Sequence, residues 1–355
     1  MSDRLEFLER LLDAPGPSGF EARAARVWRE EAEGIADAVD TDVTGNTMAV
    51  LNPDGRPRVM LAGHIDEIGL QVTHIDEKGF LFIDEIGGWD PQVLVGQRVT
   101  LLGRDGDVPG VIGKKPIHLL KDEERKKAAE TEKLWVDLGA SSREEVLELG
   151  LRVGDPLIVA AGMLRLAGDR IASRAIDNRI GAYVVLEALR LVAEDPGEAA
   201  VVAVATAQEE IGRLGGGAST SAFAVEPDVA VVVDVTFSTD VPDIEKKGHG
   251  DHEVGGGPVL SRGSAAHPMV FERLAEVAEA EGIEHTIQAS PSATRTDADG
   301  IYLTRKGVPT GLVSVPNRYM HSPNEVVSTG DLDRAARLLA AFIRSLGPDT
   351  DFTPR

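Results

Sequence analysis

The chain has 355 residues, 42 % hydrophobic but only 4 % aromatic, and 37 Lys and Arg stand against 59 Asp and Glu for a net charge of −22. That length supports an aliphatic core and two domains, and so acidic a surface argues against nucleic acid and anionic membranes, both of which attract basic patches. There is no cysteine, which rules out disulfides and thiolate metal sites, so a metal would need His, Asp and Glu.

The N-terminus is charged within its first turn, unlike a secretory signal. No apolar run approaches the roughly 20 residues of a membrane span. The expected location is the cytoplasm.

In chain order, Leu5, Leu8, Leu11 and Leu12 recur at helical spacing and predict an amphipathic helix over Ser2–Ala14. Pro15-Gly-Pro-Ser-Gly19 breaks it, and Ser18-Gly-Phe-Glu21 has the spacing of a capping box opening a second helix, Glu21–Glu33. Asp42–Asn46 reads as a turn between short strands, and Arg58–Ala62 as a strand ending in Gly63-His64-Ile-Asp66. From about residue 67 to 163, short β-branched runs alternate with Gly and Asp turns, the pattern of a small β-barrel or sandwich. Lys121–Lys133 within it is charged and reads as a solvated loop.

After Met163 strands and helices alternate again. Asn178–Asp195, Pro268–Glu281 and Gly330–Leu346 are the predicted helices; Ala199–Ala205, Asp228–Val233 and Pro309–Val315 are the predicted strands. These strands are apolar throughout, which implies burial on both faces. The expected fold is α/β: a mixed, largely parallel sheet covered by helices on both faces, formed by 1–66 and 164–355, with a β-rich domain inserted at 67–163.

Polar residues just past these strands carry the chemistry. His64, Glu209, Glu210, Asp234 and His321 each follow or end an apolar strand, where open α/β sheets bind their ligands. Asp177 stands at the mouth of a long helix, where a carboxylate is electrostatically favoured. Taken singly, Asp177 could be a helix cap, Asp234 a turn residue and either histidine structural. Together, His64, Asp177, Glu210, Asp234 and His321 fill two metal coordination spheres if one Asp is shared. Glu209 is left for a general base. Asp66 lies two residues from His64 and can accept the imidazole's second N–H.

These residues sit in motifs that resemble the tetrahedral (TET) aminopeptidase family of dinuclear metallopeptidases, which includes glutamyl and deblocking aminopeptidases. The motifs are Pro17-Ser-Gly-Phe-Glu21, Ala62-Gly-His-Ile-Asp-Glu-Ile-Gly69, Ala175-Ile-Asp-Asn178, Ala207-Gln-Glu-Glu-Ile-Gly212, Thr296-Asp-Ala298 and Arg318-Tyr-Met-His-Ser-Pro323. The resemblance implies His64 and Asp234 on one metal, Glu210 and His321 on the other, and Asp177 bridging. It also implies Glu209 as base and Asp66 as orienting carboxylate. Its further implications are a small domain used in subunit contacts, dimers assembling into a hollow twelve-subunit tetrahedron, and a non-proline cis peptide at Asp177–Asn178.

The expected reaction is removal of N-terminal amino acids from peptides, with two divalent ions per subunit. Zn or Co are the expected ions and Mn a third, since an all His/carboxylate site suits each. Arg262, His267 and Arg318 could line the pocket for the substrate's first side chain. Lys246–His267, with two extra histidines and much glycine, reads as a flexible loop beside the cleft rather than a third metal site. Two other readings are glycoside hydrolysis by a carboxylate pair, which leaves both histidines idle, and a non-catalytic metal-stabilised assembly protein.

Overall fold

In the computed structural model, which describes residues 2–212 and 216–354, helices Ser2–Asp13 and Ala22–Ala32 lead into strands β1 (Ala38–Thr41), β2 (Thr47–Leu51) and β3 (Arg58–His64). Six strands follow: β4 (Gly69–Ile75), β5 (Leu81–Ile86), β6 (Arg98–Gly103), β7 (Gly106–Gly113), β8 (Trp135–Asp137) and β9 (Pro156–Val159). They close into a barrel in the order β4-β5-β8-β7-β6-β9, around a core that includes Leu70, Leu81, Val99, Leu101, Val136 and Leu157. Strands β10 (Leu164–Arg165) and β11 (Arg170–Ser173) then precede helix Ile176–Glu194 and strand β12 (Ala200–Thr206). The chain continues through β13 (Val229–Phe237), β14 (Val259–Gly263), β15 (Thr286–Ser290), β16 (Thr310–Asn317) and β17 (Glu325–Ser328) to helix Thr329–Arg344.

The main sheet has eight strands in the order β1-β2-β12-β3-β13-β16-β14-β15, and its four central members, β12, β3, β13 and β16, run parallel. Side chains alternate across a strand. Val59, Leu61, Val201, Ala203, Val231 and Val233 therefore pack on one face against helices Ser2–Asp13, Ala22–Ala32, Ile176–Glu194 and Thr329–Arg344. Met60, Ala62, Val202, Val204, Ala230 and Val232 pack on the other, against helices Gly216–Val225 and Asp297–Tyr302. Two buried faces explain the continuous apolar runs of these strands.

Helix Ile176–Glu194 is pressed unusually close to β3. A Cβ on Gly63 would stand 2.4 Å from the Gly181 carbonyl carbon, so only glycine allows the approach. That contact brings the start of the helix, and with it Asp177, to the carboxyl end of β3.

Several expectations are corrected. The capping box does not form: Glu21 itself is the N-cap of helix Ala22–Ala32 and its carboxylate accepts the Gly19 N–H at 2.6 Å, while Ser18 Oγ has no hydrogen-bond partner among the described residues. Asp234 does not end its strand, because β13 runs on to Phe237 with Asp234 paired opposite Ser314. Lys121–Lys133 contains a helical turn, Asp122–Arg125. Nor is 246–267 a free loop: β14 joins the main sheet, and the Gly255 and Gly257 N–H groups donate to the buried Asp331 carboxylate at 2.7 and 2.8 Å. The glycine-rich segment Gly212–Gly217 reads in the sequence as a turn, and its residues 213–215 lie outside the described residues.

Candidate metal centre

Two histidines and three carboxylates converge at the carboxyl ends of the central strands. One ligand atom each from His64, Asp177 and Asp234 lies within 4.8 Å of the others, and the same is true of Asp177, Glu210 and His321. Asp177 belongs to both groups: its Oδ1 lies 3.3 Å from His64 Nε2 and its Oδ2 3.4 Å from His321 Nε2. The Asp177–Asn178 peptide is cis, as the resemblance implied. His64 is fully buried at the end of β3, and its Nδ1 faces Asp66 Oδ1 at 3.3 Å, which leaves Nε2 turned to the centre. His321 is turned inward by Gly88, whose carbonyl lies 2.6 Å from its Nδ1.

Asp66 also accepts the backbone N–H groups of Glu209 and Glu210, each at 3.1 Å. It therefore ties the β3 segment to the loop after β12. The two glutamates face different imidazoles, Glu209 Oε2 at 3.8 Å from His64 Nε2 and Glu210 Oε2 at 3.6 Å from His321 Nε2.

So many carboxylates in one dry place cannot all be charged without a counter-ion. Burial pushes Glu209 up to about 9 against the pull of His64, with Asp234, Asp297 and Asp66 adding repulsion. Burial likewise holds Asp234 up to about 8 and Glu210 well above the carboxylate range, with Asp177 adding to each. Asp177 goes the other way: burial opposes its charge, but hydrogen bonds from His321 and His64 hold it well below the usual range.

The residues fit divalent cations. The donors are imidazoles and carboxylates, and Glu210 Oε1 is buried with no partner among the described residues. Bonds of about 2.1 Å in tetrahedral geometry put ligand atoms about 3.4 Å apart. The observed 3.3, 3.4 and 3.6 Å separations match that spacing. No third group of three potential ligands occurs among the described residues; in the glycine-rich segment His252 pairs instead with Thr286 Oγ1 at 2.7 Å.

A cavity of about 1330 Å³ opens from the centre along Thr236, Phe237, Ser290, Arg295 and Leu303. None of the three basic residues expected there lines it. Arg318 is held by Asp240, Arg262 pairs with Glu272 at 3.2 Å and lies over Phe271, and His267 is the N-cap residue of helix Pro268–Ala280, packed edge-on to Phe352.

Three further acids matter that sequence reasoning assigned no role. Glu325, at the start of β17, accepts the backbone N–H groups of Asp177 and His321, both at 2.9 Å. Asp297, in the Thr-Asp-Ala motif, is buried and bonded to Thr206 Oγ1. Glu67 is sandwiched between the buried Arg174 and Arg179, placing excess positive charge behind the acidic centre. A Glu two residues after the His-Ser-Pro run offers no periodic signal, but a charged residue leading into the apolar pair Val326-Val327 was a clue.

The family model for M42 glutamyl aminopeptidase matches residues 45–338. A lysyl aminopeptidase from Pyrococcus furiosus is 37 % identical over 351 residues, covering 98 % of this chain and 99 % of the relative. Among solved structures, a TET aminopeptidase from a marine sediment archaeon (Thaumarchaeota archaeon) is 35 % identical with a TM-score of 0.92, covering 97 % of both chains. A TET1 peptidase from Pyrococcus horikoshii, described as assembling into a tetrahedron or a large octahedral shell, is 30 % identical with a TM-score of 0.84, covering 97 % of this chain and 100 % of that one.

Proposed function

The chain belongs to the M42 glutamyl aminopeptidase family and is a metal-dependent aminopeptidase; we propose that it works with two divalent cations, His64 and Asp234 holding one, Glu210 and His321 the other, and Asp177 both. The observation that carries this reading is Asp177 itself, whose two oxygens face two different imidazoles. Divalent cations held by these residues would supply Lewis acidity, lowering the pKa of a bound water and polarising the scissile carbonyl.

The protein's own residues do the rest. Glu209 stands beside His64 outside both ligand groups, placed to take a proton from the attacking water and give it to the leaving amine. Asp66 fixes the His64 ring and the Glu209 backbone together. The surrounding carboxylates favour a substrate whose N-terminus is a free ammonium. Zn and Co fit the donor set ahead of Mn.

The barrel, with the 67–163 segment around it, is the part we assign to subunit contacts. Its outer surface exposes Val111, Ile117, Leu119, Leu147 and Val153, and the Pyrococcus horikoshii relative assembles into shells. On this reading dimers build a tetrahedral twelve-subunit particle, which sedimentation velocity would detect.

The functional test is chelator-treated protein given Zn, Co or Mn separately and offered a panel of aminoacyl chromogenic substrates. Cation-dependent release from free but not N-acetylated residues is expected. Equal cleavage of blocked substrates, or full activity without cations, would overturn the reading.

A further inference from the structure

The main sheet ends in two edge strands of different character. β1 carries Asp40, with Asp37 and Asp42 just beyond its ends. Charges of this kind keep an edge from pairing with another chain. β15, at the opposite edge, has neither a charge nor a proline between Thr286 and Ser290, and Ile287 on it is 50 % exposed.

The outer side of β15 is free. The Thr286 N–H donates to the Pro258 carbonyl at 3.1 Å and the Ser290 carbonyl accepts the Ser264 N–H at 2.9 Å, both on the side of β14. Backbone groups alternate in direction along a strand. Ile287 and Ala289 therefore turn their N–H and C=O groups away from β14, where no further strand pairs and no partner occurs among the described residues.

This free side meets the cavity of the metal centre. Gln288, Ala289 and Ser290 line the same cavity as His64, Asp177 and Glu209. Gln288 accepts from the Thr236 hydroxyl at 2.9 Å on the cavity face of the sheet. The Ala289 methyl lies on the opposite face, so Ala289 reaches the cavity along the edge of the strand. At about 1330 Å³ the cavity exceeds the about 300–1,000 Å³ of small-molecule pockets and has room for several residues.

The distances suit a peptide. β15 stands three strands from β13, which carries Asp234. Three spacings of about 4.8 Å make about 14 Å, and an extended chain advances about 3.3 Å per residue, so a peptide with its N-terminus at the metal centre reaches β15 at about its fifth residue.

We propose that the free edge of β15 binds the downstream part of the peptide substrate as an added strand, through main-chain hydrogen bonds at Ile287 and Ala289. This rests on the aminopeptidase reading above and extends it. The edge selects for chain length and extended backbone, whatever the side chains.

The test follows leucine release from Leu-(Ala-Gly)n, with n from one to four, by the cation-loaded parent, Ile287→Pro and Ala289→Pro. Proline is tolerated in an edge strand where its N–H would face away from the sheet. In the parent, KM should fall about tenfold between the three- and seven-residue peptides, a gain of about 1.4 kcal/mol. Both variants should lose most of that gain, and so should the parent with a seven-residue peptide N-methylated from its fifth residue on. No gain with length in the parent, or equal gains in parent and variants, overturns the proposal. Variants that change the sedimentation coefficient and keep the length dependence would show an edge paired with a second copy, which also overturns it. If a variant does not fold, the N-methylated peptide decides in the parent: an undiminished gain overturns the proposal. If the parent releases no leucine from any peptide, the aminopeptidase reading fails separately, and calorimetric titration of the parent with the seven-residue peptide and its N-methylated form still decides, equal affinities overturning the role of β15.

Discussion

Glu325 holds Asp177 from behind: its Oε2 accepts the Asp177 N–H at 2.9 Å while its Oε1 accepts the His321 N–H at the same distance. One buried carboxylate therefore positions a residue from each side of the centre. His321 needs that support, because at φ 59 its backbone is in a region that non-glycine residues rarely adopt.

Glu325→Ala removes both acceptors without touching a proposed ligand. Loss of an outer-shell partner of this kind weakens metal binding by about 10–100-fold. Isothermal titration of chelator-treated protein with Zn checks the figure. Glu325→Gln keeps one acceptor oxygen and should recover part of the affinity; unaltered binding in Glu325→Ala would show that the ligands are positioned without it.

The crowded carboxylates predict an unusual dependence of stability on pH. Folding raises Asp234 from 3.8 to about 8 and Glu209 from 4.5 to about 9. Between those limits the folded apoprotein keeps protons that the unfolded chain has released, so stability must fall as pH rises through the window. His64 is raised as well, because its bonds to Asp177 and Asp66 outweigh burial; the stability it adds is present at low pH and lost as pH rises, the same direction. Cations replace the protons. The melting temperature of apoprotein should decline from about pH 5 to about pH 8, and saturating Zn should raise it more at the upper end. A Zn effect independent of pH would contradict this.

Much of this centre was legible in the chain because strand ends are legible. Runs such as Val201–Ala205 announce a buried parallel strand, and the polar residues after them must emerge at one edge of the sheet. What stayed hidden depends on contacts distant in sequence. Nothing near Glu325 tells of Asp177, and the glycines around 255–257 looked like slack chain because their partner, Asp331, lies in the last helix. The basic residues guessed for the pocket failed for the same reason. Arg318 and Arg262 each have a nearby acid that takes up their charge.

Glu209→Gln separates chemistry from binding. The amide keeps the shape and cannot take a proton, so kcat should fall about 10²–10⁴-fold. Cation content, measured by atomic absorption, should be unchanged, since Glu209 stands outside both ligand groups. Retention of substantial turnover would remove Glu209 as the base; loss of bound cation would make it a ligand.

Gly63→Ala tests whether the centre depends on the close approach of β3 and its helix. The new methyl would meet the Gly181 backbone at 2.4 to 2.7 Å, and backbone cannot swing aside as a side chain can. Overpacking of this kind costs about 1–3 kcal/mol. The helix must retreat, and its first turn carries Asp177 and Asn178, the latter donating to the Val233 carbonyl at 2.8 Å beside Asp234. Asp177 then moves relative to His64, which is anchored on β3 by Asp66. The variant should therefore lose cation affinity as well as stability, and turnover should recover in part at high Zn or Co. Gly55→Ala is the control: its Cβ also meets backbone, at 2.5 Å from the Glu198 carbonyl oxygen, but just before the start of β3, the end opposite His64. If both variants lose stability while only Gly63→Ala loses affinity, the glycine contact positions the metal centre; equal affinities would make it a packing contact alone.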